Sequence, residues 1–170
     1  MSNEAVSKAA TQAHEALVEL EKLLGQIPDV DLHRAEPNGG WTCAQVVSHI
    51  HLSGLLWIAD LERLSRHREP HMFMFREELG HDAVGAPPPS AEEAARRIAS
   101  VRTALDQYLA EVDPAILDIQ LEVPTLGTFT VAEWMPLITG HIAGHVGQLK
   151  AILRSRDVLP AAFAESEVAV

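Results

Sequence analysis

The sequence predicts an all-α fold: a four-helix bundle with a long loop between helices 2 and 3 and a short extended segment before helix 4. Apolar residues recur at helical spacing in four stretches, and Ser or Thr capping signals precede three of them. The length of 170 residues, with 47% apolar and 22% charged residues, fits one folded domain. We therefore expect a single bundle domain over residues 1–156 and a C-terminal tail over 157–170.

The first helix is predicted from about Glu4 to Leu24, where Gly25 ends it. The polar residues 28–40 are predicted to form a loop. Thr42 and Gln45 have the spacing of a capping box that begins the second helix. That helix should end near residues 66–68, because basic side chains stabilise a helix C-terminus.

A long connection over residues 70–89 follows, and its apolar residues 72–75 either cover a substrate pocket or cover the end of the bundle. Ser90 and Glu93 are predicted to cap the third helix. After it, residues 119–123 alternate between apolar and polar side chains, which indicates a short extended segment.

Gly127 is predicted to form a turn before the last helix. Thr130 and Glu133 form another capping box there, and the helix should run to about Arg156. Pro136 falls inside this stretch and is expected to kink the helix or to move its start.

The charge of the chain excludes some classes of partner. Thirteen Lys and Arg against 24 Asp and Glu give a net charge of −11, which opposes nucleic-acid binding. No apolar run approaches the roughly 18 residues that a membrane helix needs, and the N-terminus lacks a signal-peptide pattern. Cys43 is the single cysteine, so no internal disulfide can form. We expect a cytoplasmic protein with no nucleic-acid and no membrane partner.

Two histidines of the last helix, His141 and His145, are four residues apart and so share one helix face. The apolar residues assigned to that face are Trp134, Leu137, Ile138, Leu149 and Ile152. The imidazoles are therefore expected to point inward, where an unpaired polar group costs about 1–3 kcal/mol. Either they share one metal ion at about 2.0–2.1 Å, or each hydrogen-bonds a buried polar group.

A third ligand would come from the second helix, where His49 and His51 are the candidates. Two residues that are two positions apart on a helix point in directions about 200° apart around the helix axis. Only one of these two histidines can therefore face the pair. Periodicity does not choose between them. The other histidines lie on polar faces or in loops and are expected to be solvated: His14, His33, His67, His71 and His81.

Gly140, Gly144 and Gly147 form a row along the last helix, with Ala151 beyond them. Each glycine costs roughly 1 kcal/mol relative to alanine in a helix interior. The row therefore predicts a helix packed closely against it, either within the bundle or across a dimer.

Three segments in this order resemble the DinB/YfiT-like superfamily: Gly40-Trp-Thr-Cys-Ala-Gln-Val-Val-Ser-His49, Leu126-Gly-Thr-Phe-Thr-Val-Ala-Glu-Trp134 and His141-Ile-Ala-Gly-His-Val-Gly-Gln-Leu149. The resemblance spans the chain from the first helix to Leu153. It implies a four-helix bundle, often dimeric, with a metal ion held by one histidine of the second helix and the histidine pair of the last. In this sequence the implied ligands are His49, His141 and His145.

Three protein nitrogens leave at least one coordination position open, as in catalytic metal sites. Imidazole ligands suit Zn or Ni, with Fe as a further option. The resemblance implies a metal-dependent S-transferase that joins a low-molecular-weight thiol, such as bacillithiol or mycothiol, to a small electrophile. Such a reaction needs no separate base, and the glutamate base of zincin hydrolases is replaced here by Ile142.

Three alternatives stay open at this point: a metal-dependent small-molecule hydrolase, a stress protein that binds a metal or ligand without turnover, and a metal-free protein with structural histidines. No catalytic residue is predicted. Ser53 and Asp60 share roughly the face of His49 and either orient it or are a core serine and a solvated acid. Cys43 is either a thiol of lowered pKa or an inert one. Trp41 and Trp134 are interpreted as packing residues.

Overall fold

The computed structural model of the chain describes residues 3–34, 40–67, 85–123 and 127–163. These contain five helices: α1 (Asn3–Leu24), α2 (Asp29–His33), α3 (Cys43–His67), α4 (Ala91–Glu111) and α5 (Val131–Arg154). The four long helices pack as a bundle in which α1 lies against α4 and α5, and α3 lies against the same two helices. The prediction of an all-α four-helix bundle is confirmed.

The bundle core is formed by the apolar stripes of the long helices, all of which turn inward. Side chains with less than 2% exposure include Leu17 and Leu20 of α1, Ile50 of α3, Ile98 of α4 and Met135 of α5. Full burial of a side chain of this size stabilises the fold by about 1.5–3 kcal/mol. The stripes therefore fix the rotation of each helix about its own axis.

Side chains that cap the helix N-termini set where α3 and α5 begin. Thr42 Oγ1 accepts from Gln45 N at 3.1 Å, and Gln45 Oε1 accepts from Thr42 N at 2.8 Å. Thr130 and Glu133 make the same reciprocal pair of bonds at the start of α5. Both predicted capping boxes are present, and they satisfy backbone donors that a helix leaves unpaired.

The cap of α4 involves a different partner from the one predicted. Ser90 Oγ accepts from Glu93 N at 3.2 Å, as expected. The Glu93 carboxylate, however, binds Arg97 Nε at 3.0 Å. Asp29 Oδ1 of α2 accepts from Ala91 N at 2.7 Å, so α2 supplies a further acceptor to the first turn of α4.

The short helix α2 was not predicted, because residues 28–40 were interpreted as a loop. A five-residue helix shows no apolar periodicity and is unstable alone. Leu32 is fully buried, and Asp31 is 4% exposed. Tertiary packing therefore determines this helix.

The extended segment before α5 is one strand of a hairpin. Strand β1 (Gln120–Val123) pairs antiparallel with β2 (Gly127–Thr130), with Gln120 opposite Thr130. Gly127, predicted as a turn residue, begins β2 with φ of 108°, a backbone region that glycine adopts readily. The second strand was missed because its side chains do not alternate between buried and exposed.

Helix α5 continues through Pro136, so the expected shift of its start is wrong. Pro136 is the sixth residue of the helix, and its missing N–H removes only one bond near the N-terminus. Thr139 Oγ1 donates to the Pro136 carbonyl at 3.1 Å.

Some predicted features lie outside the described residues, among them the apolar residues 72–75 and the side chains of His67, His71 and His81. Within the described residues, no helix is both long and apolar enough to cross a membrane. Beyond α5, Phe163 is 6% exposed. The division between domain and tail at residue 156 stays a prediction.

No described residue packs closely on the glycine row of α5. A Cβ atom placed on Gly140, Gly144 or Gly147 would meet nothing within 4 Å in the described part of the chain. The prediction of a helix packed on this row within the bundle is therefore wrong for the described residues. Gly54 of α3 is the opposite case, because its Cβ would lie 2.6 Å from Val101 Cγ1 of α4.

We predict opposite effects for two glycine-to-alanine substitutions. Gly54→Ala should lower the free energy of unfolding by about 1–3 kcal/mol, because the added methyl group overpacks the α3–α4 contact. In a monomeric background, Gly147→Ala should raise it by up to about 1 kcal/mol, because alanine favours the helix and no described residue lies within 4 Å of the added methyl group. Denaturant unfolding of both variants measures the difference, and equal stabilisation by both would contradict the packing shown.

Candidate functional site

Three histidines meet where α3 packs against α5. His49 of α3 is 3% exposed, whereas His141 and His145 of α5 are half-buried. The Nε2 atoms of His49 and His141 are 3.0 Å apart. One ring nitrogen from each of the three residues lies within 4.8 Å of the other two. The structure thus brings together the three residues that the resemblance implied, and we call them the histidine triad.

The position of the histidine pair on α5 explains its partial burial. Trp134, Ile138, Leu149 and Ile152 are buried as expected for the inward face, but Leu137 is 48% exposed. The inward face is therefore narrower than predicted. His141 and His145 lie at its edge, so they contact His49 on one side and approach solvent on the other.

The triad geometry is compatible with a bound metal ion. Two nitrogens bound to one ion at about 2.0–2.1 Å are separated by about 2.9–3.4 Å, depending on the coordination angle. The His49 and His141 nitrogens are already at this spacing. Without a metal, one imidazole of this pair would donate its N–H to the other, which satisfies both nitrogens.

Gln148 determines which nitrogen of His145 faces the triad. Its Oε1 atom lies 2.8 Å from His145 Nδ1. Because a carbonyl oxygen only accepts, Nδ1 carries the proton and Nε2 keeps its lone pair. Burial lowers the pKa of His145, and the nearby His49 lowers it further, while the bond to Gln148 opposes the change. The lowered pKa favours the neutral imidazole of His145, which is the form that binds metals.

Two tryptophans flank the triad. The Trp41 ring lies 5.0 Å from the His49 ring and stacks on the His145 ring at 5.9 Å, measured between centroids. The Trp57 ring meets His141 edge-on at 5.3 Å. Trp41 was predicted to be a packing residue, and its packing partners include two triad histidines.

His51 lies on another side of α3 from the triad. It lines an open cavity of about 490 Å³ between α3 and α4, together with Ser48, Glu93, Arg97 and Ser100. Burial lowers the pKa of His51, and Arg97 lowers it further. No triad residue lines this cavity. The structure therefore separates the two candidates that periodicity left open.

The other described histidines lie away from the triad. His14 Nδ1 is 2.9 Å from Asp106 Oδ1, and its side chain is 43% exposed. His33 is exposed, with Nε2 3.2 Å from the Pro89 carbonyl oxygen. Both side chains reach solvent as predicted.

The lesser candidates have structural contacts. Ser53 Oγ donates to the His49 carbonyl at 2.7 Å, so it bonds the backbone of α3. Asp60 is 3% exposed and lies 3.5 Å from Arg63, so it is not a solvated acid. Cys43 is fully buried, and Trp134 packs on Phe129.

Sequence reasoning missed Gln148 and Trp57. Gln148 follows His145 by three residues, a spacing at which helix side chains meet, so this contact was predictable. Trp57 follows His49 by eight residues, about two turns, and only the crossing of α3 and α5 brings it to His141.

Comparisons with known proteins agree with this architecture. A sequence model of the DinB superfamily matches residues 12–149. A search of curated proteins finds no match. Among solved structures, YfiT from Bacillus subtilis superposes with a TM-score of 0.74 at 18% identity, covering 92% of this chain and 90% of that one. YfiT is described as a probable metal-dependent hydrolase with an unusual four-helix bundle topology.

At this identity the likeness to YfiT shows the fold, and the family is shown by the sequence match over most of the chain. The chain belongs to the DinB superfamily.

Proposed function

We propose that this protein binds one divalent metal ion through His49, His141 and His145 and catalyses transfer of a low-molecular-weight thiol to a small electrophile. The observation that carries the proposal is the convergence of three ring nitrogens within 4.8 Å of one another. A metal ion held there would lower the pKa of a thiol or water bound at its open position.

The donor set supports a transition metal. All three donors are imidazole nitrogens, which suit Zn or Ni, with Fe as a further option, and which do not suit Mg or Ca. The half-buried state of His141 and His145 leaves the outer side of the triad within reach of a small molecule. His49, at 3% exposure, anchors the inner side.

S-transfer is favoured over hydrolysis by the residue that follows His141. In a zincin that position carries the glutamate base, whereas here it is Ile142, which is 2% exposed and belongs to the core. Hydrolysis of a small molecule is the second candidate, supported by the description of YfiT as a probable metal-dependent hydrolase. Metal or ligand binding without turnover in a stress response is the third.

We also propose that the protein forms a homodimer through the outer face of α5. Leu137 is 48% exposed on this face, and the glycine row beside it leaves its backbone open to close approach. Between Glu133 and Lys150, α5 carries no Asp, Glu, Lys or Arg, so no such charge opposes contact with a second copy. A cytoplasmic location stays a prediction from the sequence.

Metal binding is tested by element analysis of the purified protein. We expect one Zn or Ni per chain, and a lower melting temperature after chelation. His49→Ala and His141→Ala should each reduce metal affinity at least about 100-fold, because each substitution removes one of the three imidazole ligands. His51→Ala, two residues from His49, is the matched control and should keep the metal. No stoichiometric metal in the parent protein would leave the histidines with a structural role.

The reaction is tested with metal-loaded protein in two parallel assays. In the first, consumption of bacillithiol, mycothiol, glutathione or cysteine is followed with a haloarene or epoxide as electrophile. In the second, hydrolysis of small esters and amides is followed without thiol. We expect thiol consumption that His141→Ala abolishes. Hydrolysis alone would support the second candidate, and neither activity would support binding without turnover.

The dimer is tested by light scattering after gel filtration. Leu137→Arg should convert the protein to a monomer, because it places a charge in the proposed interface. Val30→Arg is the matched control, since Val30 is an apolar residue 65% exposed on α2. A monomeric parent protein, or a dimer that survives Leu137→Arg, would refute the assignment of this face.

A further inference from the structure

A buried tryptophan contacts the triad with its ring, and its N–H has no acceptor in the described part of the chain. Trp57 of α3 is 4% exposed, and its indole Nε1 is shielded from solvent. Among the described residues, this nitrogen has no hydrogen-bond partner. Buried polar groups in native proteins are nearly always paired, so an unpaired one calls for an explanation.

The location of Trp57 connects this donor to the triad. Its ring meets the His141 ring edge-on, with centroids 5.3 Å apart. His141 is in turn the residue whose Nε2 lies 3.0 Å from His49 Nε2. Trp57 follows His49 by eight residues on α3, and the rings of both residues contact the His141 ring of α5. The indole ring that carries the unpaired donor thus contacts one of the imidazoles that would hold a metal.

The other two tryptophans do not share this combination. Trp41 contacts His49 and His145, but it is only partly buried. Trp134 is 3% exposed, but its described ring contact is with Phe129. Trp57 alone among them joins deep burial, an unpaired nitrogen and contact with a triad ring in the described residues.

We infer that the indole N–H of Trp57 donates a hydrogen bond to the ligand that occupies the open position at the triad. The inference rests on the proposed metal site and adds a specificity-determining residue to it. The ligand atom beside Trp57 must then be an acceptor, such as a thiolate, a carboxylate oxygen or a carbonyl oxygen. A ligand that presents only donors or hydrocarbon there leaves the N–H unpaired and binds more weakly.

A competing explanation assigns Trp57 to His141 instead. The edge-on contact also permits the N–H to point at the face of the His141 ring, a weak interaction that would orient the imidazole. In that case Trp57 would affect metal affinity. If the N–H instead donates to the ligand at the open position, Trp57 affects the affinity for that ligand and not the affinity for the metal.

The variant Trp57→Phe separates these explanations, because it keeps an aromatic ring and removes the donor together with the fused five-membered ring. Co²⁺ serves as the metal probe and azide as the ligand probe, both followed by the visible absorption of Co²⁺. Trp134→Phe is the matched control, since it removes an indole N–H from a buried tryptophan on α5 whose described ring contact is with Phe129.

We expect Trp57→Phe to bind Co²⁺ within about 3-fold of the parent affinity and azide about 10-fold more weakly, the loss of one hydrogen bond to a charged acceptor. The metal-free Trp57→Phe and Trp134→Phe proteins should melt at similar temperatures, because each substitution leaves a cavity of the same size at a buried site. Trp134→Phe should leave azide affinity unchanged.

Unchanged azide affinity in Trp57→Phe would overturn the inference while leaving the metal site intact. A parallel loss of Co²⁺ affinity would also overturn it and would assign Trp57 to His141. A melting temperature of metal-free Trp57→Phe markedly below that of metal-free Trp134→Phe would show that the Trp57 N–H has a partner within the protein. If the parent protein binds no Co²⁺, the proposed function itself fails.

Discussion

The burial of His49 between α3 and α5 is the constraint on which the rest of the site depends. An imidazole at 3% exposure loses its hydration and must find partners inside the protein. His141 supplies one, with its Nε2 3.0 Å away. The α3–α5 contact therefore includes a polar interaction between His49 and His141. Its stability depends on whether the two ring nitrogens share a proton in a hydrogen bond or bind one cation.

The remainder of the bundle is built differently. The contacts of α1 with α4 and α5 bury leucines that need no partner, such as Leu17 and Leu20. Ion pairs between Glu19 and Lys150 and between Glu21 and Arg102 join the same helices. This side secures the fold, so the α3–α5 side can hold polar groups at some cost in stability. Such a division is common where a protein keeps a functional site that its packing alone would not favour.

The electrostatics of the chain favour a cation at the triad. The net charge of −11 produces a negative potential that attracts cations to the protein, and the triad offers such a cation three imidazole nitrogens. The bond from His145 Nδ1 to Gln148 leaves Nε2 as an acceptor site. Trp41 and Trp57 place aromatic rings against the triad, with Trp41 beside His49 and Trp57 beside His141.

Local signals in the sequence determined most of the bundle. The caps at Thr42 and Thr130 and the apolar stripes predicted the long helices, because both act within a few residues along the chain. The helix α2 and the strand β2 were not predicted, because a segment of four or five residues is too short to show a periodic pattern of apolar side chains. Leu137 was assigned to the wrong face, because periodicity gives the direction of a buried stripe but not its width.

By itself the sequence determined that His141 and His145 share one face of a helix, which follows from the helical repeat alone. Their relation to α3 required the tertiary structure. His49 and His51 are equally helical and equally flanked by apolar residues, and only the packing of α3 against α5 on one side and α4 on the other separates them. The family resemblance pointed to His49, but the physical reason is the rotation of α3 in the bundle, which is set by contacts between residues distant in the chain.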